Sequence, residues 1–372
     1  MGGGLQLLHR SMEQIEFKIE KVRKIAWALS VASGTGSLDV PGEYTWATPG
    51  SVNRRNINFN DVRQRYKSIF SSGNSIKDPE MIQFIQGLNL NKHLLDPWIV
   101  QRYEEGWMEW LERTNNKTYV SDNLSLFKHS CYSQGTQESF LNFYMMNSGK
   151  RFRVFKGEYW WHMDIWTKLN YNWAYIEDDV VRPGDVCIVS CPFALMGKKH
   201  PLLDELVKDC DRHGVEILLD FIYLPNSINQ TVNIDLSTPC INQITFSLSK
   251  TFPVQCAKVA IRFSKNKIDD PMQMSNDENI GNRLAAGLGF EIMGVHDLNH
   301  MTKKYEQPQK RWCNMLGLQA TDVVHFGLGP PYVNKKTVDD NFCSPFNMQD
   351  GRYNLGMLYE NEKLLKRIGL DG

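Results

Sequence analysis

Two apolar segments within residues 214–263 each end in polar side chains whose types could do chemistry together. The first, GVEILLDFIYL, ends with Asp220 and Tyr223, and the second, QITFSLSK, ends with Lys250. A carboxylate can keep a pyridine nitrogen protonated, a phenol can donate to a ring oxygen, and an amine can form a Schiff base. These groups are the ones that a pyridoxal-phosphate pocket requires.

A candidate phosphate site precedes a predicted helix in the segment SQGTQ. Gly135 would let the backbone approach a phosphate closely, and Thr136 would add a hydroxyl donor. The first N–H groups of the helix and its dipole also favour an anion. A Gly-Thr pair before a helix is also an ordinary helix cap, so both interpretations stay open.

An aromatic cluster, EYWWH, follows the predicted strand RFRVFKG. One ring of this cluster could stack on a pyridine ring, and Tyr159 is the best placed. The alternative is a cluster that only fills the core.

These residues must be positioned by helices and strands, and the spacing of apolar residues along the chain predicts where those elements lie. From about residue 117, short apolar runs alternate with helical segments, which predicts an α/β fold with a largely parallel sheet covered on its faces. After about residue 265 the chain becomes helix-rich. We expect an N-terminal helix and arm over 1–45, a large domain over 46–265 and a smaller C-terminal domain over 266–372. The stripe of apolar residues predicts that the first helix spans 5–32.

Composition narrows the classes of function. The 372 residues carry no formal net charge, so bulk electrostatic capture of nucleic acid is not expected. No apolar run approaches the roughly 20 residues of a membrane span. The eight cysteines lack a CxxC pair, and the nine histidines lack metal-ligand spacing. We therefore expect a cytoplasmic protein with reduced thiols and without a metal site, a nucleic-acid partner or a membrane span.

The order of these motifs resembles the fold-type-I pyridoxal-phosphate enzymes, specifically the class I and II aminotransferase superfamily. The resemblance is clear over about residues 115–265. It implies a three-layer α/β/α large domain with a mostly parallel sheet, a smaller α+β C-terminal domain, and a homodimer with shared active sites. It also implies that Lys250 forms the internal aldimine, that Asp220 pairs with the ring nitrogen and that Tyr223 meets the ring oxygen. The remaining cofactor-binding positions that it implies are Gly135, Thr136, Gln137, Tyr159, Ser247, Ser249 and Lys258.

Two positions depart from the family pattern. The family has an arginine as phosphate ligand eight residues after the lysine, where this chain has Lys258, and Arg262 is the alternative phosphate ligand. The family's ring-contacting asparagine is replaced by Ala194 in the segment SCPFALMG. The second change leaves Tyr223 as the expected donor to the ring oxygen and puts the reaction subtype in doubt.

The resemblance implies an aminotransferase that takes an amino acid or amine as donor and a 2-oxo acid as acceptor. Arg352 is the candidate for binding the substrate carboxylate, because its guanidinium matches a planar carboxylate. A lyase, a decarboxylase or a condensing enzyme with the same cofactor is the first alternative. A non-catalytic scaffold that keeps the fold is the second.

Overall fold

The computed structural model describes residues 75–113, 121–228, 233–329, 347–349 and 351–360. Its helices are α1 (Pro79–Gly87), α2 (Asn91–Leu94), α3 (Ile99–Arg113), α4 (Ser121–Leu124), α5 (Thr136–Met146), α6 (Trp161–Lys168), α7 (Leu203–His213), α8 (Pro271–Asp277), α9 (Arg283–Val295), α10 (His300–Leu316) and α11 (Gly356–Glu360). Its strands are β1 (His129–Gln134), β2 (Arg151–Val154), β3 (Trp173–Tyr175), β4 (Asp185–Ser190), β5 (Glu216–Asp220), β6 (Ile241–Ser247), β7 (Val259–Ser264), β8 (Gln319–Ala320), β9 (Phe326–Leu328), β10 (Asn347–Gln349) and β11 (Arg352–Asn354). The predicted helix 5–32 and the N-terminal region 1–45 lie outside the described residues.

Seven strands form one sheet in the order β1-β7-β6-β5-β4-β2-β3. Strand β7 runs antiparallel to both of its neighbours, β1 and β6, whereas every other adjacent pair is parallel. The α/β class with a mostly parallel sheet is therefore confirmed.

Helices cover both faces of this sheet, as two consecutive residues of β6 demonstrate. The Thr245 hydroxyl lies 3.4 Å from the Ser139 hydroxyl on α5. The next side chain, Phe246, packs against Trp107 on α3 with ring centroids 5.5 Å apart. Because successive strand residues point to opposite faces, α5 and α3 lie on opposite sides of the sheet. This is the expected three-layer arrangement.

The described residues belong to two compact units. The first comprises residues 74–306 and 321–324 and contains the seven-stranded sheet. The second includes residues 307–320 and the described residues from 325 onwards. It combines helical residues with an antiparallel sheet of order β10-β11-β9-β8, as expected for the smaller α+β part. The domain ranges 46–265 and 266–372 stay predictions.

A buried arginine anchors the edge strand β3 and the segment after it. The Arg153 side chain is inaccessible to solvent and donates to the carbonyl oxygens of Ala174, Tyr175, Asp179 and Val180. It also lies 2.7 Å from the Asp185 carboxylate. A buried guanidinium is tolerated only when its donors are satisfied. Residue 153 therefore holds this edge of the sheet through hydrogen bonds as well as packing.

We predict that Arg153→Met lowers the free energy of unfolding by about 3–5 kcal/mol, because four backbone carbonyl oxygens lose their donor, at about 1 kcal/mol each. The Asp185 carboxylate keeps its two hydrogen bonds from Arg151. Arg182→Met is the matched control, since Arg182 is exposed and pairs with Asp179 at the surface. That change should cost less than about 1 kcal/mol. Urea denaturation followed by circular dichroism measures both values. Equal losses in the two variants would contradict the anchoring role.

Candidate active site

The predicted catalytic residues follow two adjacent parallel strands at the same edge of the sheet. Strand β5 ends at Asp220, and β6 ends at Ser247, after which a short 3-10 turn, Leu248–Lys250, carries the lysine. Asp220 is aligned with Ser190 of β4 on one side and with Thr245 of β6 on the other. The carboxyl ends of parallel strands are where open α/β sheets bind ligands.

A hydrogen bond joins the turns that follow these two strands. Tyr223 is buried and begins a second 3-10 turn, Leu224–Asn226. The buried Asn226 side chain donates from Nδ2 to the carbonyl oxygen of Lys250. The segments with Asp220, Tyr223 and Lys250 are thereby held together. Sequence reasoning missed Asn226, whose only signal is its place in the turn after the apolar strand.

The Asp220 carboxyl is buried, with 4% of the residue exposed. Burial raises its pKa well above the usual range, and the nearby Glu158 carboxylate raises that pKa further. The Ile222 N–H, which donates to Oδ1 at 3.0 Å, and the charge of Lys250 act in the opposite direction. A buried carboxylate of this kind is stabilised by a cationic hydrogen-bond donor, and a protonated ring nitrogen would be such a donor.

A second group of residues forms a cradle for an anion. The ladder aligns Ser133 of β1 with Ala260 of β7, and Ala260 with Ser247 of β6. The Ser133 and Ser249 hydroxyls are buried and have no hydrogen-bond partner among the residues that the structure describes. Ser247 organises the turn, since its hydroxyl donates to the Val259 carbonyl and accepts from the Ser249 N–H. Buried hydroxyls without partners favour a ligand with acceptor oxygens.

The start of α5 completes this cradle. Gly135 precedes the helix with φ +85°, and none of the described side chains caps the N–H groups that begin at Thr136. A Cβ at Gly135 would lie 3.3 Å from Cδ of Lys258, so the lysine stem lies directly beside the glycine. Free helix N–H groups and a cation at one point suit a phosphate.

The two candidate phosphate cations have different environments. Arg262 is buried within β7, and its guanidinium binds both carboxylate oxygens of Asp270. Lys258 is exposed, and none of the described acidic residues forms an ion pair with it. Arg262 is thus already engaged, whereas Lys258 lies beside Gly135.

The predicted stacking residue lies next to another predicted site residue. Tyr159 is partly buried, and its hydroxyl accepts from Nε2 of Gln137 at 3.3 Å. Its ring stacks on Trp161 with centroids 6.2 Å apart. Burial raises its pKa, and so does the proximity of Tyr223 and Asp220. The structure therefore brings Gln137 and Tyr159 close to the residues that follow β5.

Glu158 is a buried carboxylate that sequence reasoning did not assign. Its oxygens accept from the Ser190 N–H at 2.8 Å, the Ser190 hydroxyl at 2.7 Å and the Tyr159 N–H at 2.8 Å. It follows Gly157, which has φ +90° and where a Cβ would lie 2.4 Å from Leu195. The signal that could have found Glu158 is an acidic residue shortly after an apolar strand, the same signal that identified Asp220.

Arg352 lies on β11 in the second compact unit. Its guanidinium packs over the Phe326 ring, 4.6 Å from the centroid. Its role towards a substrate carboxylate stays a prediction. No cluster that could hold a metal ion occurs among the described residues, and none of the described helices is long and apolar enough to cross a membrane.

Comparison with known proteins identifies the fold. No family model and no curated protein matches the chain. An aminotransferase from Staphylococcus aureus superimposes with a TM-score of 0.53 at 13% identity, over 80% of this chain and 93% of that one. A pyridoxal-phosphate-bound C-S lyase from Staphylococcus hominis gives a TM-score of 0.59 at 14% identity, over 90% and 94%. An L-threonine-O-3-phosphate decarboxylase from Porphyromonas gingivalis gives 0.51 at 13% identity, over 79% and 98%.

The chain has the fold of the fold-type-I pyridoxal-phosphate enzymes, as the sequence resemblance predicted. The three structures named above are an aminotransferase, a lyase and a decarboxylase. At identities of 13–14% the similarity establishes the fold, and a shared fold does not select among these reactions.

Two buried histidines, one of them beside the site, predict how stability depends on pH. His162 contacts Tyr144 through Nδ1 and lies 5.7 Å from the Tyr159 ring, and burial lowers its pKa to about 3. Burial likewise lowers the pKa of His200, which stacks on Phe155, to about 4. In the unfolded chain both would titrate near pH 6.5. Protonation thus favours unfolding, so their stabilising contribution is present above about pH 6.5 and is lost as pH falls.

We predict that each of these two histidines lowers the free energy of unfolding by about 1.6 kcal/mol between pH 6.5 and pH 5.0. Urea denaturation at several pH values measures the slope. His162→Phe should remove about half of the slope contributed by the pair, whatever it does to stability at neutral pH. A slope in His162→Phe identical to that of the unmodified protein would show that this ring does not stay neutral when folded.

Proposed function

We propose that this chain is a pyridoxal-phosphate-dependent enzyme that acts on the amino group of an amino acid or amine, with Lys250 as the residue that binds the cofactor. The observation that carries the proposal is the position of Asp220 and Lys250, which follow adjacent parallel strands at the same edge of the sheet. The Asn226 hydrogen bond to the Lys250 backbone supports it, because it ties the two turns together. When bound, the cofactor supplies an electron sink that weakens the bonds to the substrate Cα.

The residues present fit the ring of this cofactor. The buried Asp220 carboxyl, with its raised pKa, suits a partner that brings its own proton, and a protonated pyridine nitrogen is such a partner. Tyr223 would donate its hydroxyl proton to the ring oxygen. Tyr159 would lie against the ring face, with Gln137 holding its hydroxyl. Each of these side chains would thus contact a different part of the cofactor ring: its nitrogen, its oxygen or its face.

The residues also fit the phosphate. The uncapped N–H groups at the start of α5, the hydroxyls of Thr136, Ser133 and Ser249, and the Lys258 ammonium would donate to its oxygens. Ser247 would act indirectly by holding the Ser249 turn. We assign the cationic role to Lys258 because Arg262 binds Asp270. A lysine provides a point charge and lacks the bidentate fork of an arginine.

Lys250 would also move protons. Released as a free amine after the substrate amine replaces it, its Nζ could take a proton from the substrate Cα and return it elsewhere. Lys250 is partly buried. Asp220 would keep the ring nitrogen protonated throughout. These roles require only side chains already placed at this edge of the sheet.

Transamination is the reaction we propose. The amino donor would be an amino acid or amine and the acceptor a 2-oxo acid, with Arg352 binding the substrate carboxylate through its guanidinium. We further propose a cytoplasmic homodimer with shared active sites, as the sequence resemblance implies.

A second candidate keeps the cofactor and changes the bond that is broken. Position 194, where the family pattern has asparagine, holds an alanine that offers no side-chain donor, and its N–H donates to the Ser190 hydroxyl at 2.8 Å. Tyr223 would then be the expected side-chain donor to the ring oxygen. With one donor fewer, negative charge on that oxygen would be less stabilised. This observation favours a lyase, a decarboxylase or a condensing enzyme as the alternative.

The cofactor assignment predicts a spectroscopic result. Titration of the purified protein with pyridoxal phosphate should produce a visible absorbance band, because a covalent link to Lys250 extends the conjugation of the ring. Lys250→Ala should abolish the band. Lys208→Ala, which removes an exposed lysine from α7, should leave it unchanged. A band of equal intensity in Lys250→Ala, or none in the unmodified protein, would contradict the proposal.

Product analysis separates the two candidate reactions. With a panel of amino acids and 2-oxoglutarate, transamination predicts that 2-oxo acid product and glutamate form in equal amounts. Arg352→Lys should raise KM for the amino acid about tenfold or more, because the bidentate contact is lost. The same change should not affect a substrate amine that lacks a carboxylate. Release of ammonia or carbon dioxide without glutamate would replace the aminotransferase with a lyase or decarboxylase.

A further inference from the structure

The most informative group outside the assigned residues is the buried carboxylate of Glu158. Only 5% of the residue is exposed, and a carboxylate in such a position must be stabilised by donors. Oε1 accepts from the Ser190 hydroxyl and the Tyr159 N–H, and Oε2 accepts from the Ser190 N–H. These contacts explain how the charge is tolerated, and they also define what it connects.

The donors to Glu158 belong to, or are aligned with, residues proposed to bind the ring. Tyr159 is the proposed stacking residue, and Ser190 is the last residue of β4, directly aligned with Asp220 of β5. The Ser190 hydroxyl in turn accepts from the Ala194 N–H, which closes the turn after β4. A continuous set of hydrogen bonds therefore runs from the stacking tyrosine through Glu158 to the turn at Ala194.

We propose that Glu158 is a positioning residue, which holds the Tyr159 backbone and the end of β4 in the arrangement that lets Tyr159 and Asp220 meet the same cofactor ring. This inference rests on the proposed function and deepens it. The position after Gly157 suits the role, because the left-handed glycine turns the chain after β2 and packs against Leu195. The turn thus places residue 158 between β4 and the aromatic cluster.

The charge of Glu158 also affects protonation at the site, which a purely structural contact would not do. It is one of the causes that raise the pKa of Asp220, alongside burial. A negative charge in this position stabilises the protonated form of nearby groups. One of these groups would be the ring nitrogen that is hydrogen-bonded to Asp220. Removal of the charge should therefore shift the protonation of the bound cofactor to lower pH.

Glutamine is the informative substitution because it keeps the size of the side chain and changes its hydrogen bonding. An amide has one acceptor oxygen, while its NH₂ group only donates. In Glu158→Gln, the NH₂ group would face either the Ser190 N–H or the Tyr159 N–H, and one buried donor would lose its acceptor. The loss weakens the connection and also removes the charge.

The matched control is Glu177→Gln. Both oxygens of Glu177 accept from the Lys156 N–H at 2.9 and 3.0 Å, also after strand β2. Glu177 is exposed, and the described residue that donates to it, Lys156, is not one of the residues proposed to bind the cofactor. The control therefore repeats the same chemical change on a backbone contact outside the site.

The experiment measures three quantities for the unmodified protein and both variants. These are the Kd for pyridoxal phosphate, the pH midpoint of the visible band of the bound cofactor, and the melting temperature without cofactor. We expect Glu158→Gln to raise Kd about tenfold or more and to lower the pH midpoint by about half a unit or more. Glu177→Gln should leave Kd within about twofold and the midpoint unchanged.

Each outcome decides the inference. An unchanged Kd and midpoint in Glu158→Gln overturn it, even if the melting temperature falls, because Glu158 would then only stabilise the fold. If Glu158→Gln does not fold, Ser190→Ala removes one partner while keeping the charge. That variant should raise Kd severalfold without moving the midpoint, and an unchanged Kd overturns the inference. If the unmodified protein binds no cofactor, the proposed function itself fails, together with this inference.

Discussion

The Asp220 carboxyl is withdrawn from water at the end of the central strand β5, and the arrangement around it follows from that constraint. Such a group is costly unless it shares a proton or meets a cation. Lys250, in the turn after β6, and Glu158 both lie close enough to shift the pKa of Asp220. Glu158 accepts hydrogen bonds from Ser190. The site thus combines two buried carboxylates with a lysine, and the charges of Glu158 and Lys250 shift the pKa of Asp220 in opposite directions. A ligand with a protonated ring nitrogen would complete it.

The antiparallel strand β7 is the feature of the sheet that makes this geometry available. Only residues 251–258 connect the Lys250 turn to β7, which is too short for the crossover that a parallel strand would need. The chain therefore reverses at once and returns beside β6. This reversal brings Lys258 to Gly135 at the start of α5, so the proposed phosphate cradle follows directly from the length of that connection.

The parts of the fold with strong local patterns could be predicted from the sequence. Strands β4 and β5 have apolar interiors, and β6 carries apolar residues at Ile241, Ile244 and Phe246. Asp220 stands out as a polar residue at the end of β5, and Lys250 stands out in the turn after β6. Strand β1 reads HSCYSQ and β3 has three residues, so neither has a pattern that distinguishes it from a loop. The partners of Glu158 could not be predicted, because Ser190 is brought to it by the parallel pairing of β2 and β4. The preference for Lys258 over Arg262 likewise depended on the contact with Asp270.

The central claim is that Lys250 binds the cofactor covalently, and chemical trapping tests it most directly. The protein would be incubated with pyridoxal phosphate, reduced with borohydride, digested and mapped by mass spectrometry. The account predicts one stoichiometric phosphopyridoxyl group, located on the peptide that contains Lys250. A label found mainly on Lys258 or on other lysines, or no stoichiometric label at all, would contradict it.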